Sequence, residues 1–160
     1  MIKAIDLEPA PSDTRDFADF VGRIEPRLRR AMVGTVGADR AADAVAEALA
    51  YAWANWERVS GMENPAGYLY RVARSSSRIR TPKRVRWLIP RDSHLPEVEP
   101  ALIDAVAALP TRQRVAVWLV HACEWSQVEV AEALGISPSA VSTHVARGLQ
   151  TLRRTLGADA

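Results

Sequence analysis

Two small all-α domains joined by a linker, the second built round a helix-turn-helix, are what this sequence predicts, and three observations predict them. The stretch from Trp125 to Leu152 (WSQVEVAEALGISPSAVSTHVARGLQTL) reads as two helices joined by a tight turn. Apolar residues recur at helical spacing on both sides of residues 81–99, with no strand-like alternation. Between them, TPKRVRWLIPRDSHLPEVEP is proline-rich and without sustained period, so it reads as a linker.

Residues 1–12 carry two prolines and no helical period, so they read as a flexible lead. Asp13 can cap a first helix that places Phe17, Phe20, Val21 and Ile24 on one face. Pro26 predicts a kink or break near Glu25, because proline removes a ladder hydrogen bond. Leu28 and Met32 continue the apolar side, and Gly34 and Gly37 end the segment. A long helix is predicted from about Asp39 to Arg58, with Ala42, Val45, Leu49, Trp53 and Trp56 in register. Asn64 and Pro65 read as cap and first-turn proline of a third helix bearing Tyr68, Leu69, Val72 and Ala73. These helices make a first domain over 13–80.

Residues 100–157 form the second domain. Leu102, Ile103, Val106 and Leu109 mark a short helix, and Thr111 opens another with Val115, Trp118, Leu119 and Ala122 inward. Ser126 and Glu129 then have capping-box spacing, in which two side chains satisfy orphan amides at a helix start. Gly135 falls where a helix needs a left-handed exit residue. Ser137 and Pro138 open the last helix as N-cap and first-turn proline. Val141, Val145, Leu149 and Leu152 give it one apolar face. Ser139, Ser142, Thr143, His144 and Arg147 lie opposite, where a recognition helix presents groups to bases and phosphates. With Ser137 at the helix start, these are the candidate contacts to duplex DNA; an ordinary helical hairpin is the plain alternative.

Composition narrows the function. The 160 residues are 48% hydrophobic, enough for a core, with net charge +2 and a pI of about 9.0. That average hides a basic block: Arg71, Arg74, Arg78, Arg80, Lys83, Arg84, Arg86 and Arg91 follow one another with no acid between. Such density suits a polyanion, although a solvated linker would carry the same charges. The single cysteine, Cys123, excludes an internal disulfide and a cysteine-rich zinc site, and is expected to pack as a small hydrophobe. No apolar run approaches the roughly 18 residues of a membrane span, and no signal-peptide pattern is present, so a cytoplasmic protein without membrane contact is expected.

Tyr51, Trp53, Trp56, Tyr68 and Tyr70 precede the arginines directly. Aromatic faces beside cations are what single-stranded nucleic acid requires. Trp53, Trp56 and Tyr68 fit a core role better, which leaves Tyr51 and Tyr70, with Arg71, Arg74, Arg78 and Arg80, as the surface candidates. Asp39, Asp43 and Glu47 occur at i, i+4 and i+8 near a helix start, where acids are favoured. They read as a solvated or partner-binding face. Catalysis finds no support: His94, His121 and His144 are scattered, and no phosphate loop or nucleophile elbow occurs. No enzyme activity, cofactor or metal is expected.

The order of these parts resembles a two-domain RNA polymerase sigma factor of the sigma-70 family, extracytoplasmic-function (ECF) group. ALPTRQRVAVWLVHACEWSQVEVAEALGISPSAVSTHVARGLQTLRR is similar to that group's fourth region nearly end to end. RAADAVAEALAYAWANWERV and NPAGYLYRVAR resemble its second region. The resemblance implies docking of the Asp39, Asp43 and Glu47 face on the clamp helices of core RNA polymerase, promoter melting by the first domain, and upstream-element reading by the second. Its partners would be core polymerase, double- and single-stranded promoter DNA, and an anti-sigma factor. The chain departs from the family in three places. Ala44 and Ala46 replace a leucine and a glutamine of the docking motif. Ser75, Ser76 and Ser77 stand where an asparagine is common, and Ser142 and His144 occupy positions that are often Lys and Arg. Fewer cations on the recognition helix predict either an unusual DNA specificity or an affinity that depends on polymerase holding the domain in place. Two other functions remain open: a stand-alone helix-turn-helix regulator, and a sigma-like protein that binds polymerase or an anti-sigma factor without initiating.

Overall fold

The computed structural model describes residues 11–76 and 100–157, and among them there is no strand. The linker reading of 81–99, with Arg78 and Arg80, lies outside the described residues.

Helix α1 runs Pro11–Val36 and contains Pro26. It starts two residues before the expected Asp13 and does not break at proline. Pro26 sits on the exposed side, while Phe20, Ile24, Leu28 and Met32 are buried. Burying four large side chains outweighs the roughly 3 kcal/mol that an interior proline costs. Gly34 lies inside the helix, and Gly37, at φ 90°, ends it.

Helix α2 spans Ala38–Ala54. Its inner face is small: Ala41, Ala44, Val45, Ala48 and Ala52 are buried. Short side chains let it lie close against α1 and against α4. The expected continuous helix to Arg58 is interrupted at Asn55 (φ −125°, ψ 32°), and α3 resumes over Trp56–Ser60. The Asn55 side chain donates to Tyr51 O at 2.9 Å, offering the backbone an alternative to the helical ladder. Helix α4 covers Pro65–Ser76. The Asn64 carboxamide oxygen accepts from the Gly67 amide at 2.9 Å, which is the expected cap.

In the second half, α5 is Pro100–Ala108 and α6 is Thr111–Val117. Arg114 is fully buried and donates to Ala107 O at 3.3 Å, tying α6 to α5. A π-helical turn, Trp118–Ala122, follows α6, with the Cys123 amide reaching Trp118 O at 3.0 Å. Glu124 takes φ 58°, a left-handed conformation uncommon for a side chain of this kind. It turns the chain so that Trp125 points inward.

Helix α7 is Gln127–Leu134 and α8 is Pro138–Thr155. Both halves of the Ser126–Glu129 capping box are present. Gly135 adopts φ 67°, ψ 37°, and the Ile136 amide closes the turn on Ala131 O at 3.0 Å. Ser137 caps α8 through the Ala140 amide. Gly148 lets α8 meet α6: a Cβ there would lie 2.6 Å from Val117 Cγ2.

The two halves are not merely tethered. One apolar core runs from Leu28, Met32, Leu69 and Tyr70 of α1 and α4 into Val115, Leu119, Trp125 and Val130 of the second half. Cys123 belongs to it, and burial pushes its thiol up to about 12, against the opposing Arg30 and Arg27 charges. The native thiol is expected to resist an aromatic disulfide reagent at pH 8 and to react at the rate of a free cysteine once urea unfolds the chain. Fast modification of the folded chain would show that this core opens readily.

Candidate nucleic-acid interface

Helix α8 builds the first candidate surface. Val141, Val145, Gly148 and Leu152 face inward, which turns Ser139, Ser142, Thr143 and Arg147 to solvent. Ser137 is exposed, and its hydroxyl serves the cap and bonds Ser139 Oγ at 3.0 Å. Thr143 Oγ1 donates back to Ser139 O at 3.0 Å. His144 departs from the expected outer face. It is half-buried and lines a cleft of about 160 Å³ with Arg74 of α4 and with Thr111 and Arg112 of α6. The second half packs against the first on that side, so helical periodicity alone could not locate it.

The aromatic and basic group of the first half is the second surface. Tyr51 is half-buried, and its hydroxyl meets that of Tyr68 at 2.9 Å. Two guanidiniums sit near the Tyr68 ring, Arg58 at 5.1 Å and Arg71 at 5.7 Å from its centroid. The hydrogen bond from Tyr51 and burial raise the Tyr68 phenol above its ordinary range, against the pull of Arg58 and Arg71. Tyr68, expected in the core, is half-buried and packs against it with these cations beside its ring, and Arg58 was not among the sequence candidates. Arg58 follows the helix break at Asn55, and a single arginine at a helix end carries no distinctive signal.

Tyr70 must be corrected. The sequence suggested a surface aromatic, yet the residue is 0% exposed. Its hydroxyl bonds Thr35 Oγ1 at 2.7 Å, and its ring lies under Trp125, edge to face, at 5.8 Å. Burial pushes the phenol up to about 12. Arg74 stands 5.7 Å from the same ring and is exposed, as is Arg71. Trp53 and Trp56 are half-buried, as a core role requires in part; both pack on Phe17, at 4.7 and 5.2 Å.

A third face belongs to α2, where Asp39, Asp43 and Glu47 are all exposed along one side. Among the described residues no group of His, Cys, Asp and Glu could hold a metal ion, and no helix is long and apolar enough to cross a membrane.

Further contacts join the halves beside this interface. Arg27 Nη2 pairs with Glu129 Oε1 at 2.8 Å, and the Arg27 guanidinium stands 5.6 Å from the Trp125 ring centroid. Asn64 Nδ2 donates to Glu132 Oε2 at 2.6 Å. Trp118 Nε1 donates to Arg30 O at 2.8 Å. The Trp118 ring occupies the space beside Gly34, where a Cβ would come within 2.0 Å of its Cδ1. Trp125 Nε1 is buried without a hydrogen-bond partner, an omission that costs about 1–3 kcal/mol.

Burial alone would raise the Glu129 carboxyl, but bonds from Arg27 and from the Ser126 amide outweigh it and hold the group below its ordinary 4.5. A depressed carboxyl stabilises the fold above its unfolded value and loses that contribution as pH falls through the folded one. The stability difference between the wild type and Glu129→Gln, which keeps the capping box, is therefore expected to be full at pH 7 and to shrink below about pH 4.5. A difference that stays constant to pH 3 in urea titrations would remove the ion pair from the account.

A family profile described as sigma-70, region 4 matches residues 100–152. The whole chain is similar in fold to two solved structures. One is the sigma factor RpoE in complex with the anti-sigma factor NepR from Bartonella quintana, with TM-score 0.70 and 20% identity over 91% of this chain and 99% of that one. The other is CnrH in complex with the cytosolic domain of CnrY, with TM-score 0.64 and 21% identity over 92% and 91% of the two chains. No curated protein sequence matches. Residues 100–152 thus match a sigma-70 region 4, within a chain whose fold is similar to that of these two solved structures.

Proposed function

We propose that this protein is a sigma factor of the ECF group, which binds core RNA polymerase and directs it to a set of promoters. The observation that carries the reading is the region 4 match falling on a helix-turn-helix whose α8 leaves Ser139, Ser142, Thr143 and Arg147 exposed. Residues 13–80 would form the polymerase-docking and melting domain, 81–99 the linker, and 100–157 the duplex reader. Asp39, Asp43 and Glu47 would meet the clamp helices. Tyr51, Arg71 and Arg74, joined by Tyr68 and Arg58, would hold the melted strand by stacking and charge. Arg78 and Arg80, beyond the described residues, would extend that basic track. An anti-sigma factor fits as a partner, since RpoE was solved in complex with one. The protein would act in the cytoplasm, without cofactor or catalytic step of its own.

Run-off transcription with core polymerase and candidate promoters tests the proposal. Transcripts that require the chain are expected. Polymerase binding without transcripts would favour a sigma-like interaction protein, a reading that Ala44 and Ala46 in the docking motif support. Duplex binding with no polymerase affinity would instead make it a stand-alone regulator.

A further inference from the structure

We propose that the cleft lined by Arg74, Thr111, Arg112 and His144 is a binding site for a single phosphate group. The site stands apart from the sigma-factor reading, because phosphate binding requires neither polymerase nor promoter.

Four polar side chains reach this cleft from three helices. Arg74 comes from α4, Thr111 and Arg112 from the first turn of α6, and His144 from α8. No residue lining the cleft is acidic. Among the described residues the ion pairs belong to Arg27 and Arg29, so neither Arg74 nor Arg112 has a carboxylate partner there. Both are exposed and free to meet a ligand. Two cations at one cleft repel each other, and an anion seated between them turns that cost into attraction. The Arg74 guanidinium also stands 5.7 Å from the Tyr70 ring, a contact that limits its freedom before any ligand arrives.

The shape of the site selects the anion. Guanidinium forks match carboxylate and phosphate alike. A carboxylate, however, offers two coplanar oxygens, whereas donors arriving from three helices call for oxygens in several directions. A tetrahedral phosphate supplies them. Val115, Leu134 and Ile136 form the apolar part of the wall and keep water from that side, which strengthens each charged hydrogen bond. The cleft holds about 160 Å³, below the 300–1,000 Å³ of usual small-molecule pockets. It therefore has room for one phosphate group and not for a whole nucleotide. That group can be a free phosphate anion or one unit of a DNA backbone, and the two sources separate by experiment.

The test titrates the full chain with inorganic phosphate at fixed pH and ionic strength, following backbone amides by ¹⁵N nuclear magnetic resonance. Saturating shifts are expected at Arg74, Thr111, Arg112 and His144. Arg74→Gln and Arg112→Gln should each weaken phosphate binding about tenfold, the lower end of what a hydrogen bond to a charged group contributes. Arg153→Gln removes the same charge from an exposed site on α8 outside the cleft, and should leave binding unchanged. Circular dichroism checks that each variant is folded, and either arginine variant suffices if the other is not. A fluorescent oligonucleotide then identifies the source. If saturating phosphate displaces it from the wild type and not from Arg112→Gln, the cleft takes a backbone phosphate; if phosphate binds without displacing it, the ligand is the free anion. Shifts that grow without saturating would overturn the proposal. So would equal phosphate affinity in the wild type and both cleft variants, or an equal loss in Arg153→Gln.

Discussion

Replacing Trp125 by alanine is expected to lower the unfolding free energy by roughly 3–5 kcal/mol, the range for deleting a buried large aromatic. Trp125 is 2% exposed, with Tyr70 against one side and the Arg27 guanidinium near its ring. The indole joins the core of both halves, so its loss does more than open a cavity. Much of the apolar area between the halves is lost with it, and the chain should then unfold in two steps instead of one. Urea denaturation followed by far-ultraviolet circular dichroism measures both effects. Trp125→Phe is the informative control. It keeps an aromatic against Tyr70 and deletes the unpaired N–H, so its cost should be well below that of alanine. Equal losses in the two variants would show that the indole nitrogen has a partner, and a loss under 1 kcal/mol in Trp125→Ala would show that the halves are held elsewhere.

Replacing Arg147 by alanine is expected to weaken duplex binding by about 1–3 kcal/mol if the guanidinium reads a base edge. Arg147 lies on the outer face of α8, one turn beyond Thr143, and it is exposed. Ser142 and Thr143 hydrogen-bond without charge, and His144 is half-buried in a cleft it lines with Arg74. Arg147 is then the cation best placed on the middle of α8 to enter a major groove. Titrations of a promoter duplex at several salt concentrations separate two roles. A base reader loses affinity mainly for its own sequence, whereas a phosphate contact weakens all sequences alike and lowers the salt slope by about one. Unchanged affinity in a folded Arg147→Ala chain would remove this residue from the reading surface.

The two predictions concern residues that the sequence revealed to different degrees. Arg147 was legible because its position follows from the α8 apolar face, and that face follows from helical periodicity. Trp125 was legible as the start of the helix-turn-helix and not as the cover of Tyr70. Tyr51 and Tyr70 looked alike in sequence, each an aromatic near arginines. Tyr70 is buried because its hydroxyl finds Thr35 on α1 and its ring finds Trp125. Pro26 misled for a related reason: a local rule predicted a break, and packing of the opposite face overrode it.

By itself the sequence determined the all-helical class, the capping box at Ser126 and Glu129, the left-handed Gly135 and the Ser137 cap. Each of these rests on groups within a few residues of one another, so local hydrogen bonding and helical period suffice to write them. Only the tertiary structure decided that Trp118 sits beside Gly34, that Glu129 pairs with Arg27, and that His144 is half-buried in a cleft it lines with Arg74. Those contacts join residues far apart in the chain, where burial and steric fit between surfaces choose the partner and no local pattern records the choice.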